Sequence, residues 1–235
     1  MNQLAKRIAI IQSNYVPWKG YFDIVAQVDE FILLDDVQFT KRDWRNRNRF
    51  KTSAGVRWLT IPVRTRGRYN QKICDTEVSD LAWGENHAAI LEQNYRAAPY
   101  FKEFWPTFEP LYGNRDETLL SRINRSLIET VCRVLNITTK ISWSSEYPHT
   151  EGKTAHLIDI CRRAGADEYV SGPAAASYLD VSAFAEAGIA LSFADYSGYK
   201  EYPQLHGPFV HEVSILDLIF NTGPRSRAFM KAPFR

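Results

Sequence analysis

Cysteine is scarce in this chain of 235 residues: three are present, Cys74, Cys132 and Cys161, at wide spacing. No Cys-x-x-Cys pair occurs, which argues against a disulfide framework and a structural zinc site. Cys132 and Cys161 lie in apolar helical patterns and read as small buried hydrophobes, which leaves Cys74 as the thiol open to a chemical role. No apolar run approaches the roughly 18 residues of a membrane span. The segment from Met1 to Gly20 lacks the basic start, apolar block and small-residue cleavage site of a signal peptide, so a cytoplasmic protein is expected. GxxxxGK[ST], GxGxxG and GxSxG are all missing. The histidines (His87, His149, His156, His206 and His211) show no HExxH pattern. His206 and His211 straddle Gly207 and Pro208, a spacing too loose for a metal pair, and they read as loop hydrogen-bonders. No metal site is expected.

What is present is an ordinary globular composition, 45% hydrophobic and 24% charged, in a chain long enough to build a core without covalent staples. The charge is unevenly placed. Net charge is +2, yet the stretch from Lys41 to Lys72 holds 11 basic residues and one acid, Asp43. That stretch carries +10 and the remainder −8. Such asymmetry points to an anionic partner: a phosphate-bearing small molecule, a nucleic acid or an anionic membrane surface.

Along the chain, RIAIIQ (residues 7–12) and EFILL (30–34) read as short buried strands. They flank a loop and a helix over 21–28, which is a βαβ unit with a parallel strand pair. Residues 56–63 form another strand, and 64–71 a polar, basic loop. Residues 83–136 are helical with breaks near Pro99, Pro106 and Pro110, and the clearest helix covers 117–136. Strand–helix alternation then resumes: strands at 138–144, 168–171 and 189–194, and helices at 153–164, 181–187 and 212–220. Asp180 is placed to cap the helix that follows it. The expected fold is α/β and Rossmann-like, a mostly parallel sheet with helices on both faces. It is expected as one domain over 1–235, with a helical insertion near 80–136 and a loosely held basic tail at 224–235.

Ligands of open parallel sheets bind beyond the carboxyl ends of the strands. The first strand ends in Gln12, Ser13, Asn14 and Tyr15, followed by Trp18. The second ends in Asp35, Asp36 and Gln38. The two aspartates are sequential, so in extended chain they point to opposite sides and at most one faces a pocket directly. It could orient an amine, act as a base or hold a hydrated magnesium ion; alternatively, one caps a turn and the other pairs with Arg42. TKRDWRNRNRF (40–50) interleaves Lys41, Arg42, Arg45 and Arg47 with Trp44, Asn46 and Asn48. Guanidinium forks suit phosphate oxygens, and an aromatic ring suits a base or sugar face. Ser171, Gly172 and Tyr178, in SGPAAASYLD, form a further strand-end position, equally readable as close helix–sheet packing through alanines.

QSNYVPWKGYF (12–22), LLDDVQFTKRDWRNRNRFKT (33–52) and WLTIPV (58–63) resemble the WbqC-like family. So do YRAAPYF (95–101), GADEYVSGPAAASYLD (165–180), YPQLHGPF (202–209) and SILDLIFNTG (214–223). Many members read Gln-Pro-Asn, often after a histidine; here Ser13 and Ile11 stand at those positions. The resemblance implies a role in bacterial O-antigen or other surface-polysaccharide assembly. There it implies processing of a nucleotide-linked amino sugar, by attaching glycine or another small acyl group to its amine. A fainter likeness, strand–loop–helix–strand followed by VQF, is to adenylating ligases of the nucleotidyltransferase superfamily. Those use histidines early in the chain, where this sequence has none before His87, so ATP and magnesium stay open as cofactors.

The expected catalytic set is therefore Asp36, Asp35 and Lys41. An aspartate orients or deprotonates the attacking amine, and Lys41 joins Arg42, Arg45 and Arg47 in holding phosphates. Trp44 or Tyr15 stacks on the base or sugar, while Gln12, Asn14 and Gln38 position the substrate. The expected partners are the nucleotide-linked sugar and a small acyl or amino-acid donor, with no stable nucleic-acid partner. A homo-oligomer is left open. The rival readings are a non-catalytic nucleic-acid binder and a scaffold whose cationic face touches anionic lipid.

Overall fold

The computed structural model describes residues 5–148 and 150–232. Five parallel strands form its centre in the order β5-β2-β1-β6-β7. They are β1 (Arg7–Ile11), β2 (Glu30–Leu33), β5 (Lys140–Trp143), β6 (Glu168–Ser171) and β7 (Ala190–Phe193). Ile8 to Ile11 register against Glu30 to Leu33. The chain winds from β1 outward to β2 and β5, then crosses to the other side of β1 for β6 and β7. This is the Rossmann-like, doubly wound order, with its switch point between β1 and β6.

Alternation along the strands explains why both faces are covered. Ala9, Phe31 and Leu33 pack into one apolar cluster, and Ile8, Ile10 and Ile32 into a second. The first cluster takes in α1 (Lys19–Gln27), α4 (Leu120–Val134) and α7 (Ile215–Thr222). The second takes in α5 (Lys153–Arg163) and α6 (Val181–Glu186). Phe31, Leu33, Ile8 and Ile32 are wholly buried, and each such side chain contributes about 1.5–3 kcal/mol of transfer free energy.

Between β2 and β5 lie an antiparallel hairpin and three helices. The hairpin is β3 (Arg47–Thr52) and β4 (Gly55–Thr60). Sequence patterning places no strand at β3, because its inward positions alternate a polar residue, Asn48, with Phe50. The helices are α2 (Trp83–Tyr95), α3 (Phe101–Gly113) and α4. Pro106 and Pro110 lie inside α3 rather than breaking it. Both are exposed, so water reaches the carbonyls whose N–H partners they remove. The opposite face is fastened by Phe101, Trp105, Phe108 and Tyr112, all buried.

Two more expectations shift. Helix α7 starts at Ile215 rather than 212, where the Ser214 hydroxyl accepts from the Leu216 N–H. The stretch after Pro224 is docked rather than loose, as far as the described residues run. It forms a 3-10 helix over Gly223–Phe229, and the buried Asp23 carboxylate then accepts from the Lys231 and Ala232 N–H groups at 3.0 and 2.8 Å. As expected, Cys132 and Cys161 are buried, and the Asp180 side chain caps α6.

Helices α2 and α3 meet at Gly84, where a Cβ would sit 1.9 Å from the Tyr112 carbonyl oxygen. Backbone on both sides leaves no soft neighbour to yield. Gly84→Ala is expected to cost about 1–3 kcal/mol by overpacking. Gly113→Ala, with nothing within 4 Å of its Cβ position, should be close to neutral; denaturant unfolding of the two variants measures the difference.

Candidate functional site

The chain leaves β1 at Ile11 and turns through Gln12–Trp18 before α1 begins. Val16 in this turn has φ +36°, a costly conformation for a β-branched residue. Its neighbours hold it there. The Asn48 amide donates to the Tyr15 and Val16 carbonyls at 3.0 and 2.8 Å, and the Tyr15 N–H donates to the Trp44 carbonyl at 3.0 Å. The Tyr15 ring is enclosed among Phe50, Trp83 and His87. Its hydroxyl lies within hydrogen-bond distance of His87 Nδ1, at 2.8 Å. Tyr15 thus has no free face for a base or sugar, which leaves Trp44 of the two rings expected to stack there.

The two aspartates after β2 leave the chain on opposite sides. Asp35 turns toward α4. It is buried, accepts from the Ser13 N–H at 2.8 Å and accepts from the Ser121 hydroxyl. Burial raises its pKa, partly offset by those donors and by the Arg45 charge. The Asn124 amide completes the knot, donating to Ser13 Oγ at 3.1 Å and to the Arg45 carbonyl at 2.8 Å. Asp35 is therefore an enclosed fastening. Asp36 turns toward α5, accepts from the Ser144 hydroxyl and lies 3.4 Å from His156 Nε2. This carboxylate–imidazole pair stands where β2 and β5 end.

Asn14, Pro17, Trp18, Trp44, Asn48 and Glu212 line a cavity of about 190 Å³. Four of the expected site residues, Asn14, Trp18, Trp44 and Asn48, thus meet at one place. Arg45 reinforces the wall by donating to the Asn14 side-chain oxygen. Arg49 holds Glu212 through its carboxylate at 2.7 Å and its carbonyl at 2.9 Å. Trp18 packs edge-on against Tyr196, centroids 4.8 Å apart. The Tyr196 hydroxyl in turn lies 3.8 Å from the Cβ position of Gly172, which joins the cavity wall to the end of β6 at the switch point.

The other expected residues sit elsewhere. Gln12 is half-buried, and its carbonyl accepts from the Tyr21 hydroxyl at 3.2 Å. Asn46 is buried, its amide donating to the Ile61 carbonyl at 2.8 Å. Ser171 is buried, 3.2 Å from the Tyr169 hydroxyl. Arg47 lies over the Trp58 ring at 4.2 Å. Lys41, Arg42, Gln38 and Tyr178 are exposed and do not line the cavity. Arg42 does not pair with either aspartate; it has φ +60°, and its carbonyl accepts from Arg47. Cys74 is not activated: burial and Asp75 push its thiol up to about 11.

Three residues were not legible as site residues in sequence. Lys19, next to Trp18, is buried against the Tyr199, Tyr202 and Phe209 rings, and burial lowers its pKa to about 8. His156 sits in an apolar helical pattern in α5 and had no signal of its own. Glu212 had none. Among the described residues, no three His, Cys, Asp or Glu side chains are grouped to hold a metal.

Comparison with known proteins fits this chain into a family. The WbqC-like protein family model matches residues 12–229. The chain belongs to the WbqC-like protein family. A relative in Mycobacterium tuberculosis, the uncharacterized protein Rv1507c, is 48% identical over 226 residues, spanning 96% of this chain and 98% of the relative. No solved structure matches the chain significantly. The stretches that resemble the family have physical roles in the fold. Gln12–Phe22 is the strained turn and its helix, and Leu33–Thr52 supplies Asp35, Asp36 and Asn48. Tyr202–Phe209 and Ser214–Gly223 meet at Asp217, which accepts from Tyr95, Tyr202 and Gln204 at 2.8, 2.7 and 2.7 Å.

Two outcomes follow from the turn. Asn48→Leu strands the Tyr15 and Val16 carbonyls and should lower unfolding free energy by about 1–3 kcal/mol, read by denaturant titration. Burial lowers the His87 pKa from 6.5 to about 4, so between those values the unfolded chain binds the extra proton. Stability should therefore fall as pH drops through that window, by up to about 3 kcal/mol from this group. His87→Gln should remove that share of the slope in melts recorded across pH.

Proposed function

We propose that this protein transfers a small acyl or aminoacyl group, such as glycyl, to the amine of a nucleotide-linked amino sugar in bacterial surface-polysaccharide assembly. The observation that carries the reading is the convergence at one cavity of an aromatic face, Trp44, two amides, Asn14 and Asn48, and a carboxylate, Glu212, with Arg45 and Arg49 bonded into its wall. Neither a polyanion binder nor a scaffold needs amides and a carboxylate gathered beside arginines. Family membership supports it at the coarser level.

The cavity, about 190 Å³, is smaller than the roughly 300 Å³ at which whole-ligand pockets begin. It takes one ring-sized part of the substrate, and the nucleotide extends over the basic segment that begins at Lys41. Trp44 meets the ring, Arg47 with Lys41 and Arg42 meets phosphates, and Glu212 orients the ammonium or hydroxyl groups. In the reaction the free amine attacks the donor's carbonyl carbon, the C–N bond forms, the donor's leaving group departs with its electron pair, and the nitrogen releases a proton. The Asp36–His156 pair is the acid–base couple on this edge suited to receive it.

Calorimetry against nucleotide-linked amino sugars, their amine-blocked counterparts, ATP and a short oligonucleotide tests the reading. Saturable one-site binding to the amino sugar, lost on blocking the amine, is expected. Binding to the oligonucleotide alone would overturn it. Trp44→Ala should weaken sugar-nucleotide binding by about 1–3 kcal/mol, the value of a base on an aromatic platform. Asp36→Asn should lower kcat by about 10²–10⁴ with KM nearly unchanged; equal loss in both would assign Asp36 a purely structural role.

A further inference from the structure

We propose that the outer face of the β3–β4 hairpin, with the neighbouring 64–72 loop, docks the protein on an anionic bilayer surface. Cross-strand pairing puts Arg47, Arg49 and Trp58 on one face of the hairpin, because Arg49 stands opposite Trp58 and Arg47 opposite Thr60. On the other face Asn48, Phe50 and Leu59 are buried, and Arg57, opposite Phe50, is exposed. Trp44 lies against Trp58, ring centroids 5.1 Å apart. Trp44, Trp58 and Tyr69 are 40%, 43% and 81% exposed, a large solvent-facing aromatic area in one basic stretch. The loop that follows the hairpin is tied to the segment that leads into it: the Gln38 amide donates to the Tyr69 carbonyl at 3.0 Å, and Gln38 bridges to Lys72.

Charge complementarity names the occupant. Lys41, Arg42, Arg66 and Lys72 are exposed and make no ion pair with a described residue. Cations with tryptophans between them are what an anionic headgroup layer accepts. Indole edges sit at headgroup level, and the long basic stems lie on apolar surface while their heads reach phosphates. The covered ring of Trp58 favours this over single-stranded nucleic acid, whose bases need free aromatic faces. One face of Trp58 is covered by the Arg47 guanidinium at 4.2 Å, and Trp44 is tilted 41° against it. No described helix is long and apolar enough to cross a membrane, so the contact is peripheral and reversible. Trp44 belongs both to this face and to the cavity wall, so docking holds the cavity beside the headgroups.

Flotation with vesicles of equal parts phosphatidylglycerol and phosphatidylcholine, and with phosphatidylcholine alone, tests the proposal, with an oligo-dT strand measured at the same salt. Binding to the anionic vesicles alone is expected, weakening steeply as salt rises. A cation near such a surface is worth about fivefold in partition, so the double variant Arg66→Gln, Lys72→Gln should lose about thirtyfold. Trp58→Ser should lose several-fold while keeping the salt dependence. Both variants change exposed side chains, and unchanged melting temperatures confirm that they fold. Equal binding to neutral vesicles, no binding to anionic ones, variants that bind like the parent, or tighter binding to oligo-dT than to vesicles would each overturn the proposal.

Discussion

Burying a carboxylate is costly unless each oxygen finds a donor, and the carboxyl edge of this sheet is organised around that requirement at Asp35. One oxygen takes the Ser13 N–H and the other the Ser121 hydroxyl. Those bonds tie the end of β2 to the turn after β1 and to the first residues of α4. Asn124, one helical turn further on, reaches Ser13 and the Arg45 carbonyl, which extends the tie to the basic segment. The cavity exists because these pieces cannot drift apart.

The same device recurs at two other junctions. Asp217 in α7 gathers Tyr95 of α2 and the loop residues Tyr202 and Gln204. Asp23 in α1 gathers the Tyr199 hydroxyl and the backbone after the 3-10 helix. Each carboxylate sits on a regular element and draws irregular chain onto it. This is an economical way to order long connections, since each such bond fixes loop backbone that would otherwise stay mobile. Lys19 and Lys51 belong to the same interior. Burial lowers the pKa of both, and nearby Asp217 opposes the shift.

The hairpin shows how one element serves two purposes through its pleat. Inward, Asn48 holds the strained turn at Val16 and Phe50 enters the core. Outward, Arg47 and Arg49 meet Trp58 and Glu212. A charged strand of this kind resists pairing with other chains at its edges, yet it carries the side chains that an anionic ligand or surface would meet.

Much of the architecture was legible in the chain itself. RIAII and EFIL are apolar after their first residues, Arg7 and Glu30, as strands covered on both faces must be, and their βαβ spacing forces parallel pairing. The divergence of Asp35 and Asp36 follows from extended-chain geometry alone. The basic segment could be read as charge but not as a strand, because its inward Asn48 is polar and is satisfied only by carbonyls from another part of the chain. The prolines of α3 stay helical because aromatic packing on the opposite face outweighs missing bonds that water can replace. Tyr15 resembled a ligand-facing phenol until Trp83 and His87 closed over it, and Glu212 and His156 gained a setting only when distant segments met. Local pattern thus determined which residues form the sheet and which charges cluster. Tertiary structure decided which polar side chains are fastenings and which line a site, since a side chain's partners come from wherever folding brings unsatisfied donors and acceptors together.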